Sequence, residues 1–195
     1  MATYQTEKQQ ILDWLAASRG DMLELLERLV NIDSWSYDKA GVDKVGEAIA
    51  EFLEGHGIDV IRIPIETHGD SFRASVGAAA GNRPIMLLGH RDTVFPTGEV
   101  AKRPFKIEGD RAYGPGVADM KAGLVLNAFV TAAFKKFGGA PAPIVALFTG
   151  DEEIGSPTSR PIIENAAREA RLVFNSEPGR PSGNVVTGRK GGVFM

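Results

Sequence analysis

Apolar positions at helical spacing open the chain. Ile11, Leu12 and Leu15 form one stripe, and Leu25, Leu26, Leu29 and Val30 a second, so residues 7–31 read as helix. Asp21 followed by Glu24 has the form of a capping box and places a break at Gly20-Asp21. Val42, Val45, Ile49, Phe52 and Leu53 predict a third helix that stops at Gly55-His56-Gly57. The period then shortens. β-Branched runs at 58–65 and 72–76 precede a compact apolar strand at 84–89. Residues 105–107 and 111–113, around Glu108-Gly109-Asp110, predict a hairpin. Leu124, Val125, Ala128, Phe129 and Ala132 share one face of a long helix over 120–137. A buried strand follows at 143–148, then a helix at 161–170 with proline in its first turn and a short strand at 172–174.

Strands separated by helices predict an α/β fold, a three-layer sandwich around a mixed, mostly parallel sheet. In such sheets, ligands collect beyond the carboxyl ends of the strands. The run ending at Leu88 leads into Gly89-His90-Arg91-Asp92-Thr93-Val94, and the run ending at Phe148 into Asp151-Glu152-Glu153-Ile154-Gly155. The run ending at Phe174 leads into Glu177-Pro178, and Gly114-Pro115-Gly116-Val117-Ala118-Asp119 opens the longest helix. Four loops each deliver a carboxylate, and one adds an imidazole.

Composition narrows the chemistry. The 195 residues are 43% hydrophobic and 24% charged, enough to bury a core. With 25 acidic and 22 basic side chains there is no basic excess to hold a nucleic acid. The polar start lacks the pattern of a signal peptide, and no uninterrupted apolar run reaches membrane-spanning length, so a cytoplasmic location and no membrane partner are expected. With no cysteine there is no disulfide framework and no thiolate ligand. Clustered carboxylates repel one another, and a divalent cation relieves that conflict. A histidine with aspartates and glutamates suits zinc, with cobalt or manganese as alternatives, better than calcium. Two such ions can share one bridging carboxylate.

Spacing suggests a division of labour. His90 and Asp92, two residues apart, project to the same side in extended geometry, so Asp92 can orient the imidazole. Glu152 and Glu153 point apart, leaving one to bind metal and the other to act as general base. Taken alone, Asp119 reads as a helix N-cap as readily as a ligand. His56 and His68 read as surface residues.

These strings, in this order, resemble the co-catalytic zinc exopeptidases and deacylases. That family includes glutamate carboxypeptidase, acetylornithine deacetylase and succinyl-diaminopimelate desuccinylase, and the bacterial glutamate carboxypeptidase branch resembles the chain most. The resemblance implies two divalent ions, most readily zinc. His90 and Glu177 would complete one site, Asp119 would bridge through a residue whose following peptide bond is cis, and Glu153 would serve the second ion. Asp92 and Glu152 would be the catalytic supporting acid and general base. It implies a metal-dependent hydrolase that cleaves a carboxyl-terminal, glutamate-like residue from a peptide or N-acyl amino acid through metal-activated water, within a homodimeric parent. An N-acyl amino acid deacylase and a non-catalytic metal-binding chain are the alternatives. In the family a further histidine for the second metal follows an inserted lid or dimerisation domain. Residues 1–183 are therefore expected to be the amino-terminal portion of the catalytic domain and 184–195 the start of that insert, with no hydrolase activity expected from the 195 residues alone.

Overall fold

The computed structural model describes residues 2–77, 81–179 and 182. The expected domain boundary at 183–184 lies outside them. Helices α1 (Ala2–Ala17), α2 (Arg19–Val30) and α3 (Lys39–Gly55) precede strands β1 (Val60–Ile63), β2 (Ser71–Val76) and β3 (Ile85–His90). A single-turn helix α4 (Glu99–Lys102) and the strands β4 (Lys106–Glu108) and β5 (Arg111–Tyr113) follow. The chain ends its described part with α5 (Ala122–Phe137), β6 (Ile144–Thr149), α6 (Arg160–Glu169) and β7 (Leu172–Asn175).

The main sheet has five strands in the order β1-β2-β6-β3-β7. β3 runs parallel to both β6 and β7, while β2 is antiparallel to β6 and β1 antiparallel to β2. Four of the five strands therefore point the same way, with β2 reversed. β4 and β5 form the expected hairpin as a separate two-stranded sheet, with Ile107 opposite Ala112.

Alternation along the strands builds two cores. Phe72, Ala74, Leu87, Ala146 and Phe148 face one side and pack with residues from α1, α2, α3 and α5. Met86 and Leu147 face the other side, against Ile162, Ile163 and Ala166 of α6. Every residue of β6 is buried, as a central strand covered on both faces requires. By length and composition, 117–137 could cross a membrane, but Leu124, Val125, Ala128 and Phe129 are at most 3% exposed inside the core. It is a core helix.

Two local expectations are corrected. The break between α1 and α2 falls at Ser18, where the hydroxyl donates to the Trp14 carbonyl, not at Gly20-Asp21. Residues 117–121 form a bend, with Asp119 at φ −114° and ψ 97°, so α5 begins only at Ala122. Asp119 therefore does not cap α5; Lys121 holds that position.

The topology decides where the chemistry can sit. Register pairs His90 with Thr149 and Leu88 with Asn175, so three strand ends lie side by side with β3 in the middle. The loops after β6 and β7 thus flank the one after β3.

Candidate metal centre

His90 ends β3 with its ring almost fully buried. Its Nδ1 lies 3.0 Å from the backbone oxygen of Asp92 and 3.4 Å from that residue's Oδ1. The opposite nitrogen, Nε2, faces three carboxylates: Asp119 Oδ1 at 3.2 Å, Glu177 Oε1 at 3.4 Å and Glu152 Oε2 at 3.7 Å. One donor atom each from His90, Asp119 and Glu177 falls within a 4.8 Å cluster. Glu153 is outside that cluster, although its charge is felt beside those of His90, Asp119, Asp92 and Glu152. The Asp119–Met120 peptide bond is cis.

Asp92 is fully buried and lies beneath the imidazole. Its carboxylate accepts from Ser36 Oγ at 2.7 Å and from the backbone N–H groups of Glu152 and Glu153, each at 3.1 Å. Asp151, also fully buried, accepts from the backbone N–H and hydroxyl of both Thr158 and Ser159. The Glu152–Glu153 turn is thereby closed on itself from the α6 side and tied to Asp92 from the β3 side.

Helix α5 sets the remaining distances. Asn127 Nδ2 donates to the Leu88 carbonyl at 3.0 Å, and Asn127 Oδ1 accepts from Ser176 Oγ at 2.7 Å. The His90 N–H points to Met120 Sδ at 3.2 Å. Gly123 meets the Ser176 carbonyl so closely that a Cβ there would lie 2.1 Å from the oxygen. Only glycine allows α5 to seat the strand end that carries Glu177.

Arg91 turns the opposite way from His90 and is fully buried. Its guanidinium donates to the carbonyls of Val42, Asp70 and Thr149 and lies 4.7 Å from the Phe72 ring centroid. Burial lowers its pKa to about 10. Neither Arg91 nor Ser36 stands out in the sequence, because an arginine in a strand exit and a serine in a loop both read as solvated. Gly46 leaves room for both Arg91 and Phe72, since a Cβ there would meet Arg91 Nη1 at 2.3 Å and Phe72 Cε2 at 2.4 Å.

The charges are mutually frustrated. Burial opposes a charged His90, but Asp92 and Glu177 outweigh it and raise the pKa to about 11. Burial also opposes ionisation of Asp92, yet the imidazole, Ser36 and the Glu152 N–H hold its pKa below the ordinary value. Burial and the surrounding carboxylates push Glu153 up to about 7, and raise Glu152 and Asp119 as well. Glu177 alone among the acids facing Nε2 is lowered, by its hydrogen bond to His90. A divalent ion among these oxygens and Nε2 would relieve that repulsion, and the donor set of one imidazole with carboxylates suits zinc.

His56 and His68 do not join this group. His56 sits at the end of α3 with Nδ1 on the Phe52 carbonyl, and His68 contacts Thr67.

A three-layer architecture with a histidine–carboxylate centre at the strand ends is a scaffold suited to holding a divalent ion. Residues 86–190 match the family model for Peptidase family M20/M25/M40, and the chain belongs to that family. Carboxypeptidase G2 of Pseudomonas sp. (strain RS-16) is 35% identical over 160 residues, covering 80% of this chain and 38% of that protein. Succinyl-diaminopimelate desuccinylase of Gluconobacter oxydans is 34% identical over 161 residues, covering 74% and 41%. Among solved structures, human carnosine dipeptidase 1 aligns with TM-score 0.72 at 16% identity, covering 86% of this chain and 40% of that one. An M20 family metallo-carboxypeptidase, Sso-CP2 from Sulfolobus solfataricus, aligns with TM-score 0.68 at 22% identity, covering 83% and 38%. The chain thus spans about two fifths of the length of these relatives.

Proposed function

We propose that this chain carries the metal site and general base of a hydrolase that removes a carboxyl-terminal, glutamate-like residue from a peptide or N-acyl amino acid. The observation that supports this is the convergence of Asp119, Glu152 and Glu177 on one buried imidazole nitrogen. His90, Asp119 and Glu177 would hold one zinc ion, and Asp119 with Glu153 would contribute to a second. Bound there, zinc supplies Lewis acidity toward the scissile carbonyl and toward water.

The protein's own groups do the rest. Asp92 keeps the imidazole turned so that Nε2 faces the carboxylates. Glu152 is half-exposed and its carboxyl is pushed above the ordinary range, which suits a base that takes a proton from water and returns it to the leaving amine. Identity to carboxypeptidase G2 supports the carboxypeptidase reading, and identity to the desuccinylase supports an N-acyl amino acid deacylase as the second.

Metal analysis after dialysis against zinc tests the site. One equivalent retained and a second readily removed is the expected result, because among the described residues the second ion has Asp119 and Glu153 alone. Failure to retain any zinc contradicts the assignment. A polypeptide extended to the relatives' length distinguishes the substrates. Faster release of glutamate from an N-acyl-glutamate supports the carboxypeptidase, and faster release of succinate from N-succinyl-diaminopimelate supports the deacylase.

A further inference from the structure

The Asp92 carboxylate is a junction of three chain segments, and one of its donors is the Ser36 hydroxyl, whose other acceptor, the Thr93 carbonyl, is at 3.5 Å. Ser36 lies between α2 and α3, is 1% exposed, and donates through Oγ to Asp92 Oδ2 at 2.7 Å. Its place is fixed by backbone pairing. Trp35 bridges Thr93 in parallel fashion, with the Ser36 N–H on the Thr93 carbonyl at 3.2 Å and the Thr93 N–H on the Ser34 carbonyl at 2.8 Å. The same carboxylate touches His90 Nδ1 on one side and the Glu152 and Glu153 amides on the other.

We propose that Ser36 is a positioning residue for the metal centre, acting through Asp92 on both the His90 imidazole and the Glu152–Glu153 turn. This rests on the metal-binding reading above. With the hydroxyl in place, Asp92 Oδ2 is held by two donors, Ser36 Oγ and the Glu153 N–H, while Oδ1 takes the Glu152 N–H and lies 3.4 Å from Nδ1. Without it, Oδ2 keeps the Glu153 N–H alone, and the carboxylate facing the imidazole is held less firmly, while the Asp92 backbone oxygen still meets Nδ1 at 3.0 Å. Groups bonded directly to a metal-binding histidine, as Asp92 is, typically contribute about tenfold or more to metal affinity, and Ser36 acts on that contribution through Asp92.

Ser34 supplies an internal control. It is equally buried, two residues away, and its hydroxyl has no hydrogen-bond partner among the described residues.

The test is a Co2+ titration followed by visible absorption on the wild-type chain, Ser36→Ala, Ser36→Thr, Ser36→Val and Ser34→Ala, with circular dichroism to check folding. Ser36→Ala should bind Co2+ about tenfold more weakly, Ser34→Ala like wild type, and Ser36→Thr much more tightly than the isosteric Ser36→Val. Should Ser36→Ala not fold, the threonine–valine pair, which differs in the hydroxyl, carries the comparison. Wild-type affinity in Ser36→Ala, equal losses in Ser34→Ala and Ser36→Ala, or equal affinity in Ser36→Thr and Ser36→Val each overturns the proposal alone. A wild-type chain that takes up no Co2+ overturns the metal reading together with it.

Discussion

Nε2 of His90 lies 3.2 Å from Oδ1 of Asp119, joining a buried ring at the end of the central parallel strand to an exposed carboxylate on the bend before α5. A ring nitrogen that faces acids on this scale must hold either a proton or a metal ion, and the two compete.

The pH dependence of the metal-free protein follows from that competition. The His90 pKa is raised from 6.5 to about 11, so its stabilising contribution is complete below the unfolded value and is lost as pH rises through the folded one. Urea unfolding from pH 6 to 10 should show wild type losing stability relative to His90→Gln as pH rises. Parallel curves for the two proteins would contradict the proton-bound cluster.

Gly123 links helix packing to the site. An alanine there ordinarily gains about 1 kcal/mol in a helix, but its Cβ would meet the Ser176 carbonyl at 2.1 Å. Gly123→Ala should therefore lower the melting temperature and weaken zinc retention together, because the strand end carrying Glu177 must move away from His90. A rise in melting temperature with unchanged zinc retention would show the contact to be unimportant.

A second group of charges joins α3 and β1 to the residue before β2. Asp70 is nearly buried; despite that burial, Lys39, the Ile65 N–H and Arg62 bring its pKa down to about 2. Its contribution is present above the unfolded value of 3.8 and lost as pH falls through 2. Asp70→Asn should flatten the acid limb of the stability profile below pH 4, by of order 1 kcal/mol given the exposure of the Arg62 side of the pair. An acid limb identical to wild type would remove Asp70 from that role.

Much of this was legible in the sequence because the signals were periodic or repeated. The apolar blocks that became β3 and β6 and the face of Leu124, Val125 and Ala128 on α5 locate the core and the strand ends. His90, Asp119 and Glu177 then meet because β3 lies between β6 and β7, with α5 packed across them. What stayed hidden depends on long-range partners. The Ser18 break turns on a side chain bonding back to Trp14, which competes with the stronger-looking cap at Asp21. The four-residue helix α4 is too short for any periodicity. Burial of Arg91 depends on carbonyls from Val42, Asp70 and Thr149, which no local pattern announces.

The most direct measurement is anomalous diffraction at the zinc edge from crystals of the protein soaked with Zn2+. The account predicts a zinc peak about 2.0–2.2 Å from His90 Nε2 and from carboxylate oxygens of Asp119 and Glu177. Strong zinc peaks confined to other surfaces, with the His90 pocket lacking one at saturating zinc, would contradict it.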